Sequence, residues 1–130
     1  MNSNFPPAVP EIPVSNIEQA LAYYQNALGF QKDWYEEGHG IAGISKGQCR
    51  MFLTSTEFRE DKGNAPPVLI WLNLNNKAEV DALHEEWQST QATIVSPPED
   101  KPWHLREFTV ADPDGNLYRV FYDFSRDVEA

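Results

Sequence analysis

At 130 residues the chain has room for one domain with a real core, and 41% hydrophobic with 12% aromatic residues place it among folding rather than disordered chains. Ten basic residues against twenty acidic ones give a formal net charge of −10, which argues against a nucleic-acid surface. The same charge favours cationic ligands by long-range steering, unless it serves solubility alone.

No apolar run approaches the ~20 residues needed to cross a bilayer. Residues 1–7, Met1-Asn2-Ser3-Asn4-Phe5-Pro6-Pro7, lack the basic and apolar blocks of a secretion signal. Cys49 is the single cysteine, so neither an intrachain disulfide nor a cysteine-rich metal site is open to the chain. The expectation is a cytoplasmic protein with no membrane partner.

Val9 to Val14 reads as a strand whose prolines mark it as an edge or exchanged element. Asn16 is a good helix N-cap with Gln19 placed for a capping box, and Ile17, Ala20, Leu21, Tyr24 and Leu28 fall on one helical face. Gly29 is a natural stop. Three strands are predicted next, over Gln31–Glu37, Ile41–Lys46 and Arg50–Ser55, with Gly38-His39-Gly40 and Gly47-Gln48 as turns. Thr56 to Pro67 reads as an exposed linker. The pattern then restarts, with a strand from Val68 to Leu74 and a helix capped by Asn76 with Val80, Leu83 and Trp87 on one face. A strand begins at Ile94-Val95. The echo of Val14-Ser15-Asn16 in Leu74-Asn75-Asn76 suggests a duplicated module, over about 8–56 and 67–123.

The closing stretch is the most specific. Trp103-His104-Leu105-Arg106-Glu107-Phe108 leads to Asp112-Pro113-Asp114-Gly115-Asn116 and then Leu117-Tyr118-Arg119-Val120. Pro113 pre-sets one φ, Gly115 or Asn116 can take a positive φ, and Asp112 can cap the loop, so a hairpin is predicted. This order, with Val9-Pro10-Glu11-Ile12-Pro13-Val14-Ser15-Asn16, Ala20-Leu21-Ala22-Tyr23-Tyr24 and Leu28-Gly29-Phe30, resembles the glyoxalase/bleomycin-resistance/extradiol-dioxygenase (vicinal oxygen chelate) superfamily, and more narrowly its bleomycin-resistance proteins. The resemblance runs from about Ala8 to Asp123. It implies an α+β fold of two βαβββ modules forming a cup-shaped curved mixed sheet. It also implies a homodimer that often exchanges its first strand, for which Pro10 and Pro13 are suited.

Enzymes of that superfamily usually hold a divalent metal with His and Glu side chains. Carried onto this chain, those positions fall on Val9, on or beside Leu69, and on Arg119. Valine and leucine offer no lone pair and arginine carries a fixed positive charge, so no metal and no cofactor are expected. His39, His84 and His104 match no metal spacing, and His84 beside Glu85 and Glu86 reads as a surface histidine. Cys49 has no basic neighbour that would activate it.

Recognition remains. Trp87 belongs to a helix face and reads as core. Trp34, Trp71 and Trp103 offer flat rings that either pack in the core or stack on a planar ligand. Trp34 and Tyr35 point to opposite faces of one strand, so one of them faces the cup. The candidate ligand-binding residues are Trp34, Tyr35, Glu36, Glu37, His39, Trp71, Trp103, His104 and Phe108, with no catalytic residue. His39 stands in a turn where the resistance proteins carry an aromatic residue, and His104 where they often have glycine. The resemblance implies binding and sequestration of a bleomycin-type antibiotic, a planar, cationic glycopeptide with a flat bithiazole and a cationic tail, in a groove between two chains. A glyoxalase-like lyase, isomerase or dioxygenase of the same fold, or a binder of another aromatic ligand, is the alternative.

Overall fold

Two asparagines, Asn16 and Asn76, start the two helices in the same way. Each has an extended backbone, and each side-chain oxygen accepts the N–H three residues on, from Gln19 at 2.9 Å and from Glu79 at 2.8 Å. The structure is a computed structural model that describes residues 5–59 and 65–127. Part of the predicted linker, residues 60–64, and Met1 to Asn4 lie outside the described residues.

The elements run β1 Glu11–Pro13, α1 Ile17–Asn26, β2 Gln31–Glu36, β3 Ile41–Lys46, β4 Cys49–Thr54, then β5 Leu69–Asn73, α2 Lys77–Ser89, β6 Thr93–Asp100, β7 Leu105–Ala111 and β8 Leu117–Asp123. A 3₁₀ turn, Glu37–His39, joins β2 to β3. They form two four-stranded mixed sheets, β1-β4-β3-β2 and β5-β8-β7-β6, each with one parallel edge strand. This is the expected pair of βαβββ units. β1 lies beside β4 of its own chain, Glu11 opposite Phe52 and Pro13 opposite Thr54. β6 runs on through Pro97 and Pro98, which an edge strand tolerates because its outer N–H groups have no ladder partner to lose.

Strand alternation sorts each sheet into two faces. The helix-side faces supply Ile12, Ala42, Ile44, Met51 and Leu53 from the first sheet and Phe108, Val110, Tyr118 and Val120 from the second, all buried to 1% exposure or less. These join α1 and α2 in one continuous core. The halves are also linked by polar contacts. The Trp87 indole donates to the Leu28 carbonyl at 3.0 Å, and the Thr90 hydroxyl donates to the Ala27 carbonyl at 2.6 Å.

The Asp112–Asn116 turn does more than reverse the chain. Asp112 accepts the backbone N–H groups of Asp114 and Asn116, the Asn116 amide and the Tyr24 hydroxyl, at 2.6–2.9 Å. Asn116 donates to the Pro13 carbonyl and accepts from the Val68 N–H, both at 2.9 Å. One turn therefore pins the end of β1, the entry to β5 and the last turn of α1. Burial, and then the neighbouring Tyr118 and Asp112, push the Tyr24 hydroxyl far above its ordinary range, so it stays a donor.

His84 departs from its expected surface role. Its ring packs edge-on against Phe108 at 5.3 Å, and its Nε2 is buried without a partner among the described residues. Charged neighbours in sequence gave the wrong impression, because Glu85 and Glu86 sit on the exposed side of the same helix.

Candidate functional site

The other face of each sheet carries most of the candidate residues. Across the first sheet, the register aligns Glu11, Phe52, Gly43 and Trp34 in one row. Trp34 meets Phe52 edge-on at 5.3 Å, and it reaches across Gly43 to do so. A Cβ at Gly43 would lie 2.5 Å from the indole, so the glycine is required by the ring. Arg50 stands over the Phe52 ring at 6.0 Å. Glu36 shares this face two residues beyond Trp34 and lines a hollow with His39, Ile41, Glu57 and Phe58. His39 Nδ1 lies 4.0 Å from the Glu36 carboxylate. Glu37 sits in the same 3₁₀ turn and is exposed. Tyr35 faces the opposite way, opposite Ala42, and packs against the core. Of the pair Trp34 and Tyr35, the tryptophan is on the open face.

The end of this face is partly closed by the turn after β4. Arg59 is nearly buried and its guanidinium donates to the Thr54 carbonyl and hydroxyl. Thr54 in turn donates to Glu11 at 3.0 Å.

Across the second sheet the corresponding row is Trp71, Arg119, Thr109 and Ser96. Trp71 is 43% exposed and meets Phe121 edge-on at 5.4 Å. The Arg119 guanidinium stands 5.1 Å over the Trp71 ring. Two residues along β7 from Thr109, on the same face, Glu107 is only 5% exposed, and its Oε2 accepts the indole N–H of Trp103 at 3.0 Å. Trp103 is thus held by a hydrogen bond while 60% of it stays exposed. His104 adopts a φ of 68°, the left-handed region that glycine fills without strain, and packs against Phe124 at 5.7 Å. Phe108 does not line this face. Its ring is wholly buried on the helix side against Trp87 and His84, because the alternation of β7 turns Glu107 outward and Phe108 inward.

The structure thus brings Trp34, Glu36 and His39 together on one face and Trp71 and Trp103 on the other. Sequence reasoning missed Phe52, Phe121, Gly43 and the contact role of Arg119. Period-two counting from Trp34 and Trp71 reaches Glu36 and Asn73 within their own strands, but cross-strand partners need the register.

A divalent metal does not fit the residues at the positions where the fold family places one. Val9 precedes β1, Leu69 is aliphatic on β5, and Arg119 points its guanidinium into the second face. Glu11 and Glu107 sit on different sheets and each already accepts a hydrogen bond. Among the described residues no group of three or more His, Cys, Asp or Glu side chains converges. Burial pushes the Cys49 thiol up, away from nucleophilic use.

Paired βαβββ units with open, aromatic-rich sheet faces define a class, and residues 7–120 match the family model of the Glyoxalase/Bleomycin resistance protein/Dioxygenase superfamily. The chain belongs to that superfamily. It is 26% identical over 124 residues to a bleomycin resistance protein of Geobacillus stearothermophilus, covering 88% of this chain and 94% of that one. A Staphylococcus aureus protein of the same name matches equally. Among solved structures, the bleomycin-binding protein of bleomycin-producing Streptomyces verticillus, complexed with copper(II)-bleomycin, is 27% identical with a TM-score of 0.69. The match covers 92% of this chain and 97% of that one. Lactoylglutathione lyase of Agrobacterium tumefaciens shares the fold at 16% identity, with a TM-score of 0.71 over 96% and 98% of the two chains.

Proposed function

We propose that this chain captures a planar, cationic glycopeptide of the bleomycin type without transforming it. A second copy of the chain supplies the opposing wall of the groove. The observation that carries this reading is Trp103. An indole that is 60% exposed yet anchored to a buried carboxylate is a stacking surface, since burial does not hold it in place. Trp71 and Phe121 extend that surface on the second sheet, and Trp34 and Phe52 form a matching one on the first. Glu36, Glu57 and the net charge of −10 suit a cationic tail. The relatives named for bleomycin resistance, and the Streptomyces structure holding copper(II)-bleomycin, support the same ligand class.

The open faces support a homodimer. Trp34, Leu69, Trp71 and Trp103 are all exposed, and monomers seldom present large contiguous apolar patches. A lyase reading needs a donor set that Val9, Leu69 and Arg119 do not supply.

Calorimetry with bleomycin, beside light scattering, tests the proposal. Saturable binding by a particle of twice the 14.8 kDa chain mass is expected. No heat and no thermal shift with bleomycin or phleomycin would end the sequestration reading, and a stable monomer at micromolar concentration would end the inter-chain groove.

A further inference from the structure

We propose that Arg119 is the hydrogen-bond donor that selects the planar part of the ligand. It recognises a flat heteroaromatic ring that bears a conjugated acceptor such as a carboxamide oxygen. This deepens, and rests on, the reading of the second open face as a ligand surface.

The guanidinium is held in place from three directions. Its Cζ stands 5.1 Å over Trp71, its Nε donates to the Thr109 hydroxyl at 3.3 Å, and its Nε lies 4.0 Å from Glu107 Oε1. An arginine presents five N–H groups in a rigid plane. Only Nε is engaged here; the two terminal nitrogens donate to no group among the described residues. A third of the side chain is exposed, at 32%, on the same face as Trp71 and close to the Trp103 anchor.

Glu107 makes this donor usable by a cationic ligand. It is nearly buried, and its two oxygens serve Trp103 on one side and Arg119 on the other. The pair is formally neutral, so the face neither demands an anion nor strongly repels a positive tail bound elsewhere. What remains is a planar donor edge over the Trp71 ring, joined through Glu107 to the Trp103 anchor. Its complement is a flat ring with an in-plane acceptor, because one molecule can then stack and accept at once. The competing role for Arg119 is purely structural, covering Trp71 and balancing Glu107. A lysine at this position keeps the positive charge beside Glu107 but loses the fork.

The test uses bleomycin and two fragments, 2,2′-bithiazole-4-carboxamide and unsubstituted 2,2′-bithiazole, against the full wild-type chain and Arg119→Lys. The wild type is expected to hold the carboxamide roughly tenfold tighter than the bare ring, the effect of one hydrogen bond to a charged donor. Arg119→Lys is expected to lose that preference and to weaken bleomycin by a similar factor, at an unchanged melting temperature. In wild-type NMR spectra, titration of the carboxamide should shift an arginine Nε–H signal together with the indole N–H signals of Trp71 and Trp103. That measurement stands even if the variant folds poorly.

Equal bleomycin binding by both proteins, with no preference between the fragments, overturns the assignment while leaving bleomycin as the ligand. Failure of the wild type to bind bleomycin, with a fragment preference that Arg119→Lys abolishes, ends the bleomycin reading and upholds the donor. Absence of any arginine shift, or no fragment binding at all, overturns the donor outright.

Discussion

The two open faces share one architecture and almost no chemistry. Row by row, Glu11 of the first sheet corresponds to Trp71 of the second, Phe52 to Arg119, Gly43 to Thr109 and Trp34 to Ser96. The first face positions its large ring by clearance, since Gly43 leaves room for Trp34 to reach Phe52. The second positions its rings by charge, since Glu107 holds Trp103 and Arg119 covers Trp71. A duplicated fold repeats places on a sheet; what stands in those places is free to diverge.

The largest effect should come from beneath both faces. Trp87 is 1% exposed and reaches from α2 to the Leu28 carbonyl of the first half. Trp87→Ala is expected to cost about 3–5 kcal/mol, as truncating a buried aromatic does. Denaturant melts should show a single transition shifted for both halves together. Two separated transitions would mean that the halves are more independent than their common core indicates.

Next comes the charge-positioned face. Trp103→Ala should weaken bleomycin binding by roughly tenfold or more, using about 1–3 kcal/mol for a stacking platform by analogy with base stacking. Its effect on folding should be small, because the ring is mostly exposed. Trp103→Phe keeps a ring but loses the donor to Glu107, and calorimetry should place it between the two. A phenylalanine variant indistinguishable from wild type would show that the anchor to Glu107 is not what orients the ring.

The clearance-positioned face should respond to a single methyl. Gly43→Ala places a carbon within 3 Å of three indole atoms, so Trp34 must move. A destabilisation of about 1–3 kcal/mol is expected for such overpacking, with a changed near-ultraviolet circular dichroism signal. Unaltered dichroism would refute the clearance argument.

The smallest effect lies outside both faces and serves as a control. Hydrogen bonds from Lys77, then from Arg106, hold the Asp100 carboxyl below its ordinary value of 3.8. A depressed folded value adds stability above pH 3.8 that disappears as the pH falls through the folded value. The side chain is 45% exposed, so solvent screening leaves only a few tenths of a kcal/mol. Asp100→Asn should therefore melt slightly lower than wild type at pH 7 and converge with it at strongly acidic pH, without touching ligand affinity.

Most of the fold was legible because its signals are local. Asn16 and Asn76 cap helices by their own side chains, and the Asp112–Asn116 turn follows from residues that favour turns. The layout of the candidate site was only half legible. Trp34, Trp71 and Trp103 read from sequence as either core or stacking rings, and the structure leaves each of them exposed. Phe108 was misjudged because a one-residue step along a strand changes the face, and neither Glu107 nor Phe108 declares its side without the β7–β8 register. Gly43 carried no signal at all, because the space it leaves is occupied by a ring from another strand.

The common core has a further meaning for the chain as a polymer. Trp87 on the Leu28 carbonyl, Thr90 on that of Ala27 and Asn116 on that of Pro13 are non-covalent grips that survive a severed backbone. Two peptides separated between Arg59 and Ala65 should therefore recognise each other in solution as complementing fragments, since each alone would expose the part of the common core that the other half covers. The covalent connection then acts through effective concentration. It sets how quickly the halves meet, while the buried contacts decide whether they stay together.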